Sequence, residues 1–304
     1  MSEPKTGTIY DIGYKRYVGT RRPPSTRWRV IMRHQIATAW KKWWRYKMPL
    51  FVAVVTAFIA GGYMYIASGR LLRGFGARNS EFFVTLADAA LPLSFPFFAR
   101  AAFLLTLTLG AMIVATDTQS GAFTFYYVRS IKPIDYVLGK LAGLGMLVAS
   151  LVLVPPFLLA VFRLGMCDDL DDVIAHLPLL PQALLVGGLA TLAYTALPLA
   201  LSSLIGNRRY ALALWAAYYM IFGHLALGLS QVIHPSLAAL DIAASVQVVA
   251  YHVFDVHPLL RNVFYGHMPF DAALIGLVVQ SALAIGIFWF QVSRDQKTGV
   301  GGTS

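Results

Sequence analysis

Asp117-Thr118-Gln119-Ser120-Gly121-Ala122-Phe123-Thr124-Phe125-Tyr126-Tyr127-Val128-Arg129-Ser130-Ile131-Lys132-Pro133 is a polar, aromatic island in an otherwise oily chain. Before it lies the apolar run Leu93–Thr116, and after it the run Val137–Leu164. Each exceeds the roughly 20 residues that a helix needs to cross the hydrocarbon of a bilayer. A short polar segment between two such runs is a loop held at one membrane face. Its reading decides the fold class: an all-α polytopic membrane protein.

The same criterion finds four more spans: Pro49–Ala67, Leu179–Ile205, Ala211–Ile233 and Phe270–Val292. Composition agrees. Hydrophobic residues make up 58% of the 304 and charged ones only 13%, about half the charge content of an ordinary soluble domain. The runs are continuous rather than alternating, which excludes a membrane barrel. The segment Leu237–Phe254 is less apolar and carries Asp241, Gln247 and His252. It is expected to form short half-helices lying at, or dipping into, the outer face, within an outer re-entrant segment over residues 235–268; the alternative is a seventh crossing. No apolar core near Met1 resembles a signal peptide, so the chain is expected to insert through its own spans. The lone cysteine, Cys167, excludes an internal disulfide and any site built from several thiolates.

Lysine and arginine set the orientation. Nineteen of the 25 fall on the side of the termini: twelve before the first span, Arg129, Lys132 and Lys140 around the island, Arg208 and Arg209 between the fourth and fifth spans, and Arg294 and Lys297 after the last. The opposite side collects Glu81, Asp88, Asp168, Asp169, Asp171, Asp172 and Asp255. Both termini and the island are therefore expected on the cytoplasmic side of the membrane.

Residues 1–25 read as a cytoplasmic tail, 26–47 as an amphipathic interfacial helix, 48–292 as the six-span domain and 293–304 as a C-terminal cytoplasmic tail. In the interfacial helix Trp28, Ile31, Met32, Ile36, Ala39, Trp43 and Tyr46 fall on one stripe, with Arg27, Arg33, His34, Lys41 and Arg45 mostly opposite. Trp28, Trp40, Trp43 and Trp44 are expected in the headgroup layer and the cations on anionic lipid. Membrane lipids account for this basic charge, and no nucleic-acid partner is expected.

Within the island, Asp117 to Ser120 are expected to cap a short helix, Phe123, Phe125 and Tyr126 to offer aromatic knobs, and Lys132-Pro133 to end it. The residues Asp117, Gly121, Phe125, Tyr126, Lys132, Pro133, Ile134, Asp135, Tyr136, Gly139 and Lys140 resemble the corresponding stretch of the type-2 ABC transporter permeases. The tail piece Ile9-Tyr10-Asp11-Ile12-Gly13-Tyr14-Lys15-Arg16-Tyr17 and the six-span layout are similar to bacterial members. The chain departs from the pattern where Asp117 or Gln119 stands in place of the Glu of many members.

The resemblance implies a permease of a bacterial inner membrane that pairs with a second copy, like or unlike itself. It implies two cytoplasmic ABC ATPase subunits gripping a coupling helix made from Asp117, Thr118, Gln119, Gly121, Phe123, Phe125, Tyr126, Arg129 and Lys132. The chain itself is expected to be no enzyme and to hold no cofactor, with ATP and magnesium bound by the partner. In agreement, it has no G-x-x-x-x-G-K-(S/T), and its only Gly-Lys pair, Gly139-Lys140, is followed by Leu141. The implied activity is export or extrusion of an amphipathic substrate. The alternative is a subunit that transmits force to an extracytoplasmic protein through the outer connection without passing a substrate.

Other features receive plainer readings. Arg100 and Arg163, near the outer ends of their spans, either snorkel to headgroups or touch an anionic substrate. No acidic residue lies mid-span, which argues against an ion-driven transporter. His224 alone among the histidines falls inside a span; His234, His252, His257 and His267 share the outer connection without metal-motif spacing. Cys167-Asp168-Asp169-Leu170-Asp171-Asp172 lacks the glycine turn and distal Glu of a calcium loop. No metal site is expected.

Overall fold

The computed structural model describes residues 24–67, 80–123, 131–167, 169–256 and 268–298. Among them the chain is helical almost throughout and contains no strand. Six helical segments are long and apolar enough to cross a membrane: Trp43–Ala67, Ala89–Gln119, Pro133–Leu164, Leu170–Leu204, Arg208–Ser230 and Phe270–Gln296. Helices satisfy every backbone polar group within themselves, which hydrocarbon demands. Each of the six coincides with one of the apolar runs, though the fifth ends at Ser230 rather than Ile233 and the third begins at Pro133 rather than Val137. Proline at the first helical turn loses no hydrogen bond, and the Lys132 N–H donates to Asp135 Oδ2 at 3.2 Å, so the helix starts before its apolar stretch does.

α1 (Arg27–Trp40) precedes the first span. The periodic pattern predicts one helix over 26–47; the structure breaks it at Lys42, whose backbone is extended (φ −103°, ψ 101°). After that corner a π-helical turn, Trp43–Lys47, leads into α2 (Met48–Ala67). α2 packs on α3 (Ser80–Leu105), whereas α1 packs on α5 (Pro133–Val152). The buried stripe of α1 is Ile31, Gln35 and Ala39. It lies in a trough made by two glycines of α5: a Cβ on Gly139 would meet Ile31 Cβ at 2.7 Å, and one on Gly143 would meet Gln35 Oε1 at 2.8 Å. Small residues four apart let two helices approach this closely.

The second span changes geometry midway. α3 ends at Leu105, a π-helical turn covers Thr106–Gly110, and α4 (Ala111–Gln119) completes the crossing. Ser202, on α8 (Leu179–Leu204), accepts hydrogen bonds from the Val114 and Ala115 amides at 3.2 and 3.0 Å.

The third span is jointed at Leu153, between α5 and α6 (Val154–Leu164). Pro155 and Pro156 carry no N–H, so the carbonyls four residues earlier, Leu151 and Val152, lose their usual helical donors. Gly187 of α8 presses on this joint: a Cβ there would come within 2.8 Å of Leu153 Cα and 2.9 Å of the Val152 carbonyl. α7 (Leu170–His176) is a short helix before the fourth span. The fifth span comprises α9 (Arg208–Ala217), a π-helical turn Tyr218–Phe222, and α10 (Gly223–Ser230).

Between the fifth and sixth spans the chain enters the bundle. A 3-10 turn, Pro235–Leu240, leads to α11 (Ile242–Val253), whose residues Ala244 to Tyr251 are all buried. α11 packs against α3, α8 and α12 (Phe270–Thr298). The largest fully buried side chains include Trp215, Tyr136, Tyr194, Tyr251 and Phe98, so aromatic rings fill the middle of the bundle.

Candidate functional site at the ends of the second and third spans

Asp117 lies in the last turns of α4, facing the first turns of α5. Its Oδ2 accepts from Tyr136 Oη at 2.8 Å and pairs with Lys140 Nζ at 2.6 Å. The side chains of Lys140 and Asp117 are 9% and 17% exposed. The Lys140 ammonium also sits 5.3 Å from the centre of the Tyr136 ring. Spacing explains the convergence: Tyr136 and Lys140 are four apart and share a face of α5. A charge pair with both members largely removed from water holds only with such geometry. It pins the exit of the second span to the entry of the third.

Asp117 to Gln119, expected ahead of a new helix, lie inside α4, and a further helical turn begins at Ala122–Phe123, where this stretch of described residues ends. With Ser120 they close α4. The Ser120 amide donates to the Thr116 carbonyl at 3.0 Å and the Gly121 amide to that of Thr118 at 3.1 Å. Gly121 has φ +67°, a left-handed conformation that glycine adopts without steric penalty and that commonly terminates helices. The Thr118 hydroxyl donates to the Val114 carbonyl at 3.1 Å. Asp117 itself is still within α4, so it does not serve as the N-cap of the turn that follows.

Phe123 also differs from its expected role as an exposed knob. It is 2% exposed, and its ring lies 5.0 Å from that of Tyr136, which in turn meets Phe288 at 6.3 Å. Burying the ring against the bundle removes more apolar surface from water than leaving it on a loop. Gln119 and Lys132 are exposed, one on each side of the connection. Phe125, Tyr126 and Arg129 lie outside the described residues.

The tryptophans of the N-terminal segment are on the surface: Trp40, Trp43 and Trp44 are 54%, 61% and 74% exposed, and Trp28 is half-buried. Arg100 is exposed and lies over the Phe97 ring, 5.3 Å from its centre. Arg163 does not reach outward. It is buried, with Nη2 2.8 Å from His176 Nε2. His176 Nδ1 in turn lies 3.0 Å from Asp172 Oδ1. A guanidinium can only donate, so Nε2 accepts, and the Nδ1–H donates to Asp172, whose backbone carbonyl oxygen lies 2.9 Å away. α7 folds over the end of α6 and supplies these partners, which explains why Arg163 is covered. Potential ligand atoms of Cys167, Asp172 and His176 fall within 4.8 Å of one another. The Arg163 cation already occupies the open imidazole nitrogen, so the residues fit a hydrogen-bonded network better than a metal centre.

One buried carboxylate was hidden from a span-by-span reading. Asp241 stands outside all six runs in sequence, yet it is 4% exposed within the bundle. It accepts from the Ala244 amide at 3.0 Å as the N-cap of α11. Gly223 makes room for it, and His224 Nδ1 lies 3.9 Å away. Nearby, the Tyr218 hydroxyl donates towards Gln280 Oε1 at 2.6 Å, and Gln280 Nε2 donates to the Ala239 carbonyl at 2.6 Å. Gly223 is seven residues before the end of α10, which puts Asp241, at the tip of the hairpin made by the Pro235–Leu240 turn and α11, about 10 Å below that end. The Asp241 carboxylate is occupied in capping α11. The signal in the sequence was the Leu240-Asp241-Ile242 step, an N-cap residue before an apolar run.

Neither the protein-family models nor the curated proteins compared with this chain match it.

Proposed function

We propose that this chain is the membrane-spanning permease subunit of a bacterial ATP-binding-cassette exporter. It pairs with a second permease copy and is driven by cytoplasmic ATPase chains that hold the ATP and magnesium. The observation that carries the reading is the Asp117–Tyr136–Lys140 clamp. A loop tied at both roots to two spans passes a push on itself to both helices, whereas a loop on loose roots would absorb it. The exposed Gln119 and Lys132 flank that loop, and the residues expected to meet the motor, Phe125, Tyr126 and Arg129, fall inside it. The basic α1 lies along α5, next to the clamp, and offers the same motor a second surface. Under this reading the termini, α1 and the loop are cytoplasmic. α1 and its tryptophans lie at the inner interface, and the hairpin of α11 is re-entrant from the outside. The cargo moves along apolar surface and is amphipathic.

Co-purification from gently solubilised membranes tests the proposal. An ATPase chain is expected to accompany the wild-type protein. Phe125→Ala with Tyr126→Ala is expected to lower ATPase stimulation by at least about ten-fold, since buried aromatic anchors of an interface each hold roughly 2 kcal/mol or more. A preparation that contains no ATPase chain, or a double variant with full stimulation, overturns it.

A further inference from the structure

A groove of about 840 Å³ runs along the membrane-facing side between the first and third spans. Its volume is within the range of roughly 300–1,000 Å³ of small-molecule pockets. Two local features open it. Gly61-Gly62 removes side chains from the wall of α2, and a Cβ built on Gly62 meets nothing within 4 Å. The joint of the third span, with Pro155 in the lining, turns α6 aside. The groove reaches from Trp40 and Tyr46 at one end to Tyr65 and Phe162 at the other. Nineteen residues of helix separate Tyr46 from Tyr65, close to 28 Å. That is the length of a hydrocarbon leaflet and more. The lining is mostly carbon; its polar atoms belong to Trp40, Tyr65 and the Tyr46–Ser150 hydroxyl pair, which lies 3.1 Å apart near the Trp40 end.

That end is strongly basic. Seven Lys and Arg residues fall between Arg27 and Lys47, and no Asp or Glu occurs between Asp11 and Glu81. Lys47 Nζ lies 5.8 Å from the centre of the Trp40 ring and 5.2 Å from that of Trp43. Among the described residues it has no carboxylate partner. The cation is thus held by two indole faces beside the mouth of a carbon-lined groove, with no carboxylate beside it among the described residues.

We infer that this groove is a binding site for an anionic phospholipid. The acyl chain lies between the first and third spans, and the phosphate sits against Lys47 in the Trp40–Trp43 notch. The site is independent of the ATP-driven reading. It requires only that the basic end lies at a membrane interface.

Full-length protein, with any chains that accompany it, is equilibrated in detergent with dioleoylphosphatidylglycerol or dioleoylphosphatidylcholine, and bound lipid is counted by native mass spectrometry. The wild-type protein is expected to retain the glycerol lipid about five-fold more than the choline lipid, the preference that one lysine near an anionic headgroup supplies. Lys47→Gln is expected to bring the two lipids level. Gly62→Leu, whose Cβ would meet nothing within 4 Å and whose side chain would occupy the groove, is expected to lose most bound glycerol lipid. Gly188→Leu, another glycine with open space around it, is expected to lose none. Equal retention of both lipids by the wild-type protein, or equal retention of the glycerol lipid by Gly62→Leu and Gly188→Leu, overturns the inference. If Gly62→Leu proves unfolded by its thermal midpoint, Lys47→Gln decides: an unchanged preference in that variant rejects the site.

Discussion

Lys140 depends on one anion. With Asp117 removed, its ammonium remains largely out of water with only the Tyr136 ring for company. Breaking a buried pair costs about 3–5 kcal/mol; because Asp117 is partly exposed, Asp117→Ala is expected to cost about 2–3 kcal/mol. The double variant Asp117→Ala with Lys140→Met is expected to recover part of that loss, because no lone charge is left. Thermal unfolding of the four proteins measures the coupling, and strictly additive losses would show that the clamp is not a unit. At this scale the sequence was only partly legible. Asp117 and Lys140 stood out as polar residues beside apolar runs, but their pairing required the third helix to begin at Pro133. Phe123 read as a knob because nothing local tells an aromatic on a loop from one folded back on the bundle. Gln35 was invisible as a packing residue, since only the glycine trough on α5 gives it a place.

α1 shows how an element is positioned by what its neighbour lacks. A methyl group on Gly139 would press on Ile31 Cβ at 2.7 Å and on the Trp28 carbonyl oxygen at 2.9 Å. The carbonyl belongs to the backbone, so α1 itself must shift. Gly139→Ala is expected to cost about 1–3 kcal/mol and to speed tryptic cleavage at Arg29 and Arg33. Gly188→Ala, in open space, is expected to be neutral or to gain about 0.5–1 kcal/mol, the usual cost of a helical glycine. If both variants behave alike in the protease assay, α1 is held by something other than this trough. The element boundaries show the limits of periodicity. The spans were legible because length and apolarity suffice for them. The break at Lys42 was not, because a stripe of apolar residues continues through it. The α11 hairpin was read as half-helices from its mixed polarity, but its burial depends on α3, α8 and α12, which lie far away in sequence.

For the whole molecule, the distribution of Lys and Arg makes one global prediction. In a Cys167→Ser background, cysteine placed at the exposed Ile174 is expected to react with a membrane-impermeant maleimide on intact cells stripped of their outer membrane. Cysteine placed at the exposed Ser120 is expected to react only after the membrane is opened. The reverse pattern would turn the molecule over and put the clamp on the wrong side for a cytoplasmic motor. The joint at Leu153 bears on what such a motor could achieve. The portion of the third helix that carries Tyr136 and Lys140 and the portion that carries Arg163 are separated by two absent hydrogen-bond rungs, with a bare glycine of α8 as the bearing surface. A stroke delivered at the inner end would then swing the lower rod about that pivot while the upper rod stays moored to His176. The bend would alter the width of the lipid-facing groove without any sliding of the helix along its axis.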